Sequence, residues 1–230
     1  MPETIFITGG TGYIGSRLIN AFQRKSNYSI KALVRKGSEH KLPSGCEMVY
    51  GDALRAATYK DQISPATTFV HLIGVPHPSP SKKALFKSVD AVSVAEAAKA
   101  ADFAGINHFV YLSVSQYPGK IMKDYQEVRA SGEELLTQTG FKCSFMRPWY
   151  VLGPGHRWPM LLFPIYGLLS LFPSTKTQVQ EQGLVTIDQM IDSLFYAIEN
   201  PPSSQYKVYK VPEIRKAKAV PVALQPETEV

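Results

Sequence analysis

Three glycines open the chemistry of this 230-residue chain: Gly9, Gly12 and Gly15 in the run ITGGTGYIGSRL. Their GxxGxxG spacing suits a turn that seats a pyrophosphate. Gly9 lets the chain turn sharply off a preceding strand, Gly12 lets main chain approach the phosphates, and Gly15 lets the next helix pack close to that strand. The helix then offers free N–H groups and its positive dipole end to the anion, with Tyr13 and Ile14 in its first turn. The context fits, because β-branched Thr4 to Thr8 precedes the turn. Apolar Ile14, Leu18, Ile19 and Phe22 follow at helical spacing. An ordinary glycine-rich strand-to-helix turn is the alternative.

The end of the second strand chooses between dinucleotides. NAD calls for an acid there, about 20 residues past the glycines, to bond the ribose 2′-OH. Here the run is Val34-Arg35-Lys36, with no carboxylate before Glu39. Arg35 can lie against adenine and pair with a 2′-phosphate, and Lys36 adds charge, so NADP(H) is favoured over NAD(H). Solvated surface cations are the alternative reading of both. Gly51-Asp52-Ala53 follows the third strand, where Asp52 can accept a bond from the adenine amine. Ile73-Gly74-Val75 follows the fourth, where a small residue admits a ribose. Both lie at carboxyl ends of strands, where open α/β sheets bind ligands.

These positions need a scaffold, and the sequence alternates to supply one. Strands are predicted at Thr4 to Thr8, Ser29 to Val34, Glu47 to Tyr50, Thr68 to Ile73, His108 to Val114 and Lys142 to Met146. Helices are predicted at Tyr13 to Lys25, Val89 to Ala104 and Tyr125 to Thr139, the last closed by Gly140. Such alternation implies a Rossmann-type, doubly wound parallel sheet with helices on both faces. The texture changes after Pro148. Residues 149–215, with a helix over Thr186 to Glu199 and a strand over Tyr206 to Val211, read as a small C-terminal substrate-side lobe on the same domain as residues 1–148. Residues 216–230 read as a flexible tail.

Composition narrows the function classes. Lys plus Arg number 25 against 19 Asp plus Glu, a formal charge of +6. This suits a phosphate-bearing ligand or simply solubility. The cations are scattered without interleaved aromatics, which argues against nucleic acid. Cys46 and Cys143 form no CxxC, and no histidines have metal-ligand spacing, so no metal is expected. His71, inside a strand, reads as a satisfied core histidine, while His40, His77 and His108 have no recognisable partner. GxSxG is absent. The N-terminal run lacks signal-peptide features, and Met160 to Phe172, broken by Pro164 and Ser170, is too short to span a bilayer; a cytoplasmic location is expected. That apolar stretch could wall a pocket, form a dimer patch or rest on a membrane, with packing on its own lobe the simplest reading. In the turn-rich loop from Gly153 to Pro159, His156 and Arg157 could contact a substrate, or the loop is structural.

With TGGTGYIG, ALVR, GDA, HLIG, YLSVS, RPWYVLGPG and VTIDQM in order, residues 3–213 resemble the short-chain dehydrogenase/reductase superfamily, in its extended and atypical branches. The resemblance is strongest to the NAD(P)H-binding group near nucleoside-diphosphate-sugar epimerases, NmrA-like redox sensors and the related accessory subunit of respiratory complex I. It implies an NADP(H)-dependent oxidoreductase or epimerase-like enzyme moving hydride between nicotinamide and a carbonyl or carbinol carbon of a small substrate. It also implies roles. Ser115, with Ser113 nearby, orients the substrate oxygen, Tyr125 handles its proton, and Pro148, Trp149 and Tyr150 cover the nicotinamide. Where catalytic members carry Lys, this chain has Arg129. On one helical face with Tyr125, Arg129 can favour tyrosinate and reach ribose hydroxyls but cannot relay a proton. Lys120 and Lys123 are the nearby ammonium groups, otherwise solvated loop lysines. The resemblance leaves open a catalytically silent NADP(H)-binding redox sensor, or an assembly or regulatory protein with a homodimer or protein partner. A lobe of this size argues against a nucleotide-sugar substrate.

Overall fold

In the computed structural model, the residues described are 3–24, 27–75, 79–116, 122–155 and 183–217. The β-branched and aromatic runs form strands β1 (Glu3–Thr8), β2 (Tyr28–Val34), β3 (Glu47–Tyr50), β4 (Thr68–His71), β5 (His108–Leu112) and β6 (Lys142–Arg147). With β9 (Tyr206–Lys210) they make one seven-stranded sheet in the order β3-β2-β1-β4-β5-β6-β9. Every ladder is parallel. The order reverses between β1 and β4, the place where a doubly wound sheet opens a ligand crevice.

Alternation along the strands sorts side chains to two faces. Ile5, Ile7, Val70, Val110 and Met146 meet Leu18, Ile19 and Phe22 of α1 (Tyr13–Gln23) and Met190, Leu194 and Ile198 of α5 (Ile187–Glu199). On the other face Phe69 stacks on Phe109, with ring centroids 5.0 Å apart, and Phe6 tilts against Phe69 at 5.1 Å. They lie beneath Ala97, Ala100 and Ala101 of α3 (Val92–Phe103) and Leu136 of α4 (Lys123–Thr137). Alanines keep α3 close to the aromatic layer. Thr186 starts α5 with a capping box: its hydroxyl accepts the Gln189 amide while the Gln189 side chain accepts the Thr186 amide.

Several expected boundaries shift. β5 ends at Leu112, and residues 113–116 lie beyond the strand, with the Ser113 amide still bonded to the Met146 carbonyl at 2.8 Å. Helical structure before α3 begins at a 3-10 turn, Pro80–Lys82, continues as α2 (Lys83–Leu85) and passes through a π turn, Phe86–Ala91. α4 does not use Gly140 as a left-handed cap. It ends at Thr137, Gly140 has no positive φ, and the Thr139 hydroxyl donates to the Leu136 carbonyl instead. After Pro148, β7 (Tyr150–Leu152) and β8 (Leu184–Thr186) pair in a small separate sheet, while β9 joins the main sheet beside β6 and α5 packs on α1. α6 (Val211–Lys216) then closes the described chain, so Lys216 is helical. The remaining tail and the Met160 to Phe172 stretch lie outside the described residues, as does His77.

Two histidines are buried in this fold. His71 exchanges hydrogen bonds with the Thr8 hydroxyl at 2.8 Å and the Ser93 hydroxyl at 3.3 Å. His108 meets the Ser144 hydroxyl at 3.0 Å. Burial, then the Arg129 charge, pushes His71 down to about 3, and burial pushes His108 down to about 4. Both are neutral when folded and protonate near pH ~6.5 when unfolded. Their stabilisation is therefore complete above that value and is lost as pH falls toward 4 and then 3. Urea midpoints should show stability dropping by on the order of 6 kcal/mol from pH 7 to pH 4, about 3 kcal/mol from each histidine. A His71→Gln/His108→Gln variant should start lower and show a clearly flatter acid limb; parallel limbs would refute the assignment.

Candidate active site

The crevice at the carboxyl ends of β1 and β4 has two chambers that share Gly9, Gly12, Leu72, Gly74 and Val75. The first, about 470 Å³, runs under Arg35, Asp52 and Ala53 and past Ile73. The second, about 330 Å³, is walled by Tyr13, Ile14, Gly15, Ser113, Tyr125, Arg129, Pro148, Trp149 and Tyr150. The structure thus brings to one crevice almost every residue singled out from the sequence. Among the described residues Lys36, Ser115 and Lys123 line neither chamber.

The glycine turn fits a pyrophosphate. Gly9 has φ +81°, and a Cβ there would lie 2.9 Å from the Leu72 carbonyl carbon. At Gly15 a Cβ would lie 2.2 Å from the Gly9 carbonyl oxygen, so only glycine lets α1 start this close to β1. Gly12 is the N-cap of α1 and provides no side-chain cap. The amides of the first helical turn therefore face the crevice as donors for an anion.

On the first chamber's rim Arg35 is exposed, and among the described residues no ion pair engages it. Lys36 is exposed beside it. One Asp52 oxygen accepts the Leu54 amide at 3.0 Å. This orients the carboxylate while its chain position lines the chamber.

The second chamber departs from expectation around Gly74. A Cβ there would stand 1.9 Å from Arg129 Nη2, so the residue's smallness accommodates the guanidinium. Arg129 is buried. Nη2 pairs with Asp90 Oδ1 at 2.6 Å, and Nη1 donates to the carbonyls of Leu112 and Ile73 at 3.0 and 3.1 Å. Among its nitrogens Nε alone has no partner. Burial works against that charge, but Tyr125, Tyr111 and Asp90 outweigh it, raise the pKa, and keep Arg129 cationic. The Tyr125 ring sits 5.3 Å from Arg129 Cζ and 5.0 Å from the Phe86 ring. Lys123 is exposed and pairs with Glu127 at 3.5 Å, away from the chamber walls, and Lys120 lies outside the described residues.

Ser113 and Ser115 are both buried with hydroxyls that have no hydrogen-bond partner among the described residues. Ser113 lines the second chamber. Ser115 acts through its backbone: its amide donates to the Pro148 carbonyl at 3.0 Å and its carbonyl accepts the Gln126 side chain at 2.8 Å. Those bonds tie the β5 exit to α4 and to the loop carrying Trp149. His156 and Arg157 lie outside the described residues.

Residues missed in the sequence include Thr11, Ser38, Leu85 and Val89 in the first chamber and Leu112, Val114 and Val151 in the second. Thr11 and Leu112 sit inside recognisable motifs and could have been named. Asp90 had no local signal. Among the described residues no group of three His, Cys, Asp or Glu side chains could hold a metal, and no helix is long and apolar enough to cross a membrane.

This parallel sheet with a glycine-turn crevice is a Rossmann-type, doubly wound fold. Residues 5–157 match the NAD dependent epimerase/dehydratase family, and the chain belongs to that family. It is similar to the UDP-glucose 4-epimerase of Vibrio cholerae, 23% identical over 89% of this chain and 69% of the relative. An uncharacterized sugar epimerase of Bacillus subtilis is 28% identical over 63% of this chain and 70% of its own. Among solved structures, the UDP-glucuronic acid 4-epimerase from Bacillus cereus in complex with NAD shares the fold at TM-score 0.66 and 16% identity, over 90% of this chain and 77% of the other.

Proposed function

We propose that this protein is an NADP(H)-dependent oxidoreductase or epimerase-like enzyme acting on a small substrate in the second chamber, within a reducing, cytoplasmic setting. The observation that carries this reading is the continuous crevice, with the uncapped start of α1 at its middle and Arg35 unengaged at one rim. Gly9, Gly12 and Gly15 would hold the pyrophosphate, Arg35 the 2′-phosphate, with Lys36 adding charge, and Asp52 the adenine. Pro148, Trp149 and Tyr150 would cover the nicotinamide, with Ser113 beside it. The bound cofactor supplies the hydride donor or acceptor. Tyr125 gives or takes the substrate's proton, Arg129 places a fixed positive charge behind its ring, and Ser113, whose unbonded hydroxyl lines the chamber, orients the substrate oxygen in place of Ser115, which lines neither chamber.

Fluorescence titration with NADPH and NADH tests the cofactor. NADPH should bind tighter, and Arg35→Ala should weaken NADPH by roughly 10-fold or more, the loss of one charge-assisted bond, while leaving NADH nearly unchanged. Tighter NADH binding would sink the preference. For turnover, Tyr125→Phe should lower kcat by about 10²-fold or more in a carbonyl and UDP-sugar screen, with nucleotide affinity kept. One observation favours a second reading, a redox sensor without turnover: among the described residues no lysine lines the second chamber, and the Arg129 guanidinium there is pinned by Asp90. Tight NADPH binding with no consumption of any substrate, and no effect of Tyr125→Phe, would select it.

A further inference from the structure

We infer that Asp90 is a positioning residue for the cofactor, acting through Arg129 and the Val75 amide on the crevice segment Ile73–Gly74–Val75. The inference rests on the cofactor reading above. Asp90 lies in the π turn Phe86–Ala91, a local widening of the helix of the sort that recurs at functional sites. Its side chain is fully buried. One oxygen meets Arg129 Nη2 at 2.6 Å, and the Val75 amide donates to the carboxylate at 3.2 and 3.4 Å. Arg129 in turn donates to the Ile73 carbonyl at 3.1 Å and the Leu112 carbonyl at 3.0 Å. One ion pair therefore grips both neighbours of Gly74 and the residue just before Ser113.

The gripped segment forms wall in both chambers, so its backbone path sets the shape that a dinucleotide meets. Gly74 completes the device. A side chain there would collide with the guanidinium, so glycine at 74, acid at 90 and arginine at 129 depend on one another. A buried ion pair is poor at adding stability over apolar residues of like size, because desolvation offsets the attraction. Directional bonds to three backbone groups are what apolar replacements cannot supply.

The experiment compares wild type, Asp90→Asn, Arg129→Met and the double variant Asp90→Leu/Arg129→Met. Each is measured for Tm, NADPH affinity, and amide hydrogen exchange at Val75 without nucleotide. Both single variants should lower Tm, since each leaves a buried charge or its partner unmatched. The double variant should recover Tm to within a few degrees of wild type while NADPH binds at least 10-fold more weakly and Val75 exchanges faster. Recovery of both Tm and affinity would overturn the inference and leave the pair a packing feature. So would a folded Asp90→Asn protein with wild-type affinity, which decides the matter even where the double variant does not fold. Wild type that binds neither NADPH nor NADH would defeat the cofactor reading itself, and Val75 exchange would still report whether Asp90 holds that segment.

Discussion

Gly15→Ala should abolish measurable nucleotide binding and lower Tm by roughly 2–12 °C, the range expected from an overpacking cost of about 1–3 kcal/mol in a chain of this size. The cause is steric and local. The new Cβ would stand 2.2 Å from the Gly9 carbonyl oxygen and 2.8 Å from Gly10 Cα, and both are backbone atoms that cannot rotate aside. Relief requires α1 to lift away from the end of β1. That motion strips contacts from Leu18, Ile19 and Phe22, which are buried against β1, β4 and α5. It also carries the first-turn amides away from the crevice. Gly140→Ala is the matched control. Nothing lies within 4 Å of a Cβ there, and its φ is ordinary. It should leave Tm and affinity unchanged, within about 0.5 kcal/mol. Equal Tm for Gly15→Ala and Gly140→Ala in thermal unfolding would contradict the close approach of helix and strand.

Arg147→Met has the second large effect. Arg147 ends β6, and its Nε donates to both Glu133 oxygens at 2.9 and 3.2 Å while Nη2 makes a further short bond to Oε2. Glu133 belongs to α4 and is nearly buried. Removing the guanidinium strands a carboxylate with little access to water, which costs about 3–5 kcal/mol. At ~2–4 °C per kcal/mol, Tm should fall by at least ~6 °C. Binding should suffer too, because Pro148, Trp149 and Tyr150 follow directly and wall the second chamber. Glu133→Leu together with Arg147→Met removes both charges and should recover most of the Tm. A single variant within 2 °C of wild type (set against the ~6 °C expected) would show that water reaches Glu133.

The elements that were legible in the sequence carry their signal locally. Strands buried on both faces, such as Phe69 and Val70 in β4, read as unbroken apolar runs, and the glycine turn announced itself through spacing. β7 and β8 were not legible, since each is three residues long and its partner lies across a long chain interval. α6 was hidden because Pro212 in its first turn resembles the end of a strand. At the site, Arg35 and Asp52 could be named because strand ends point to them, and Tyr125 through the family resemblance. The Asp90–Arg129 pair could not, because it joins two helical segments whose contact depends on how both cross the sheet. That the Arg129 guanidinium also requires a glycine at 74 was hidden for the same reason, since it comes from α4.

The strand order also dictates a schedule for the nascent chain. β1 leaves the ribosome before its sheet neighbours yet ends in the interior, with β2 on one flank and β4 on the other. After β3 completes one wing, β1 still presents a bare row of amides and carbonyls until residue 71 has been made. The second wing then grows outward as β5, β6 and finally β9 arrive. A ribosome stalled before Tyr206 would hold a partly zipped sheet with the flank of β6 open, the kind of exposed edge that recruits another chain. Protection by chaperones during synthesis should matter most over that last interval.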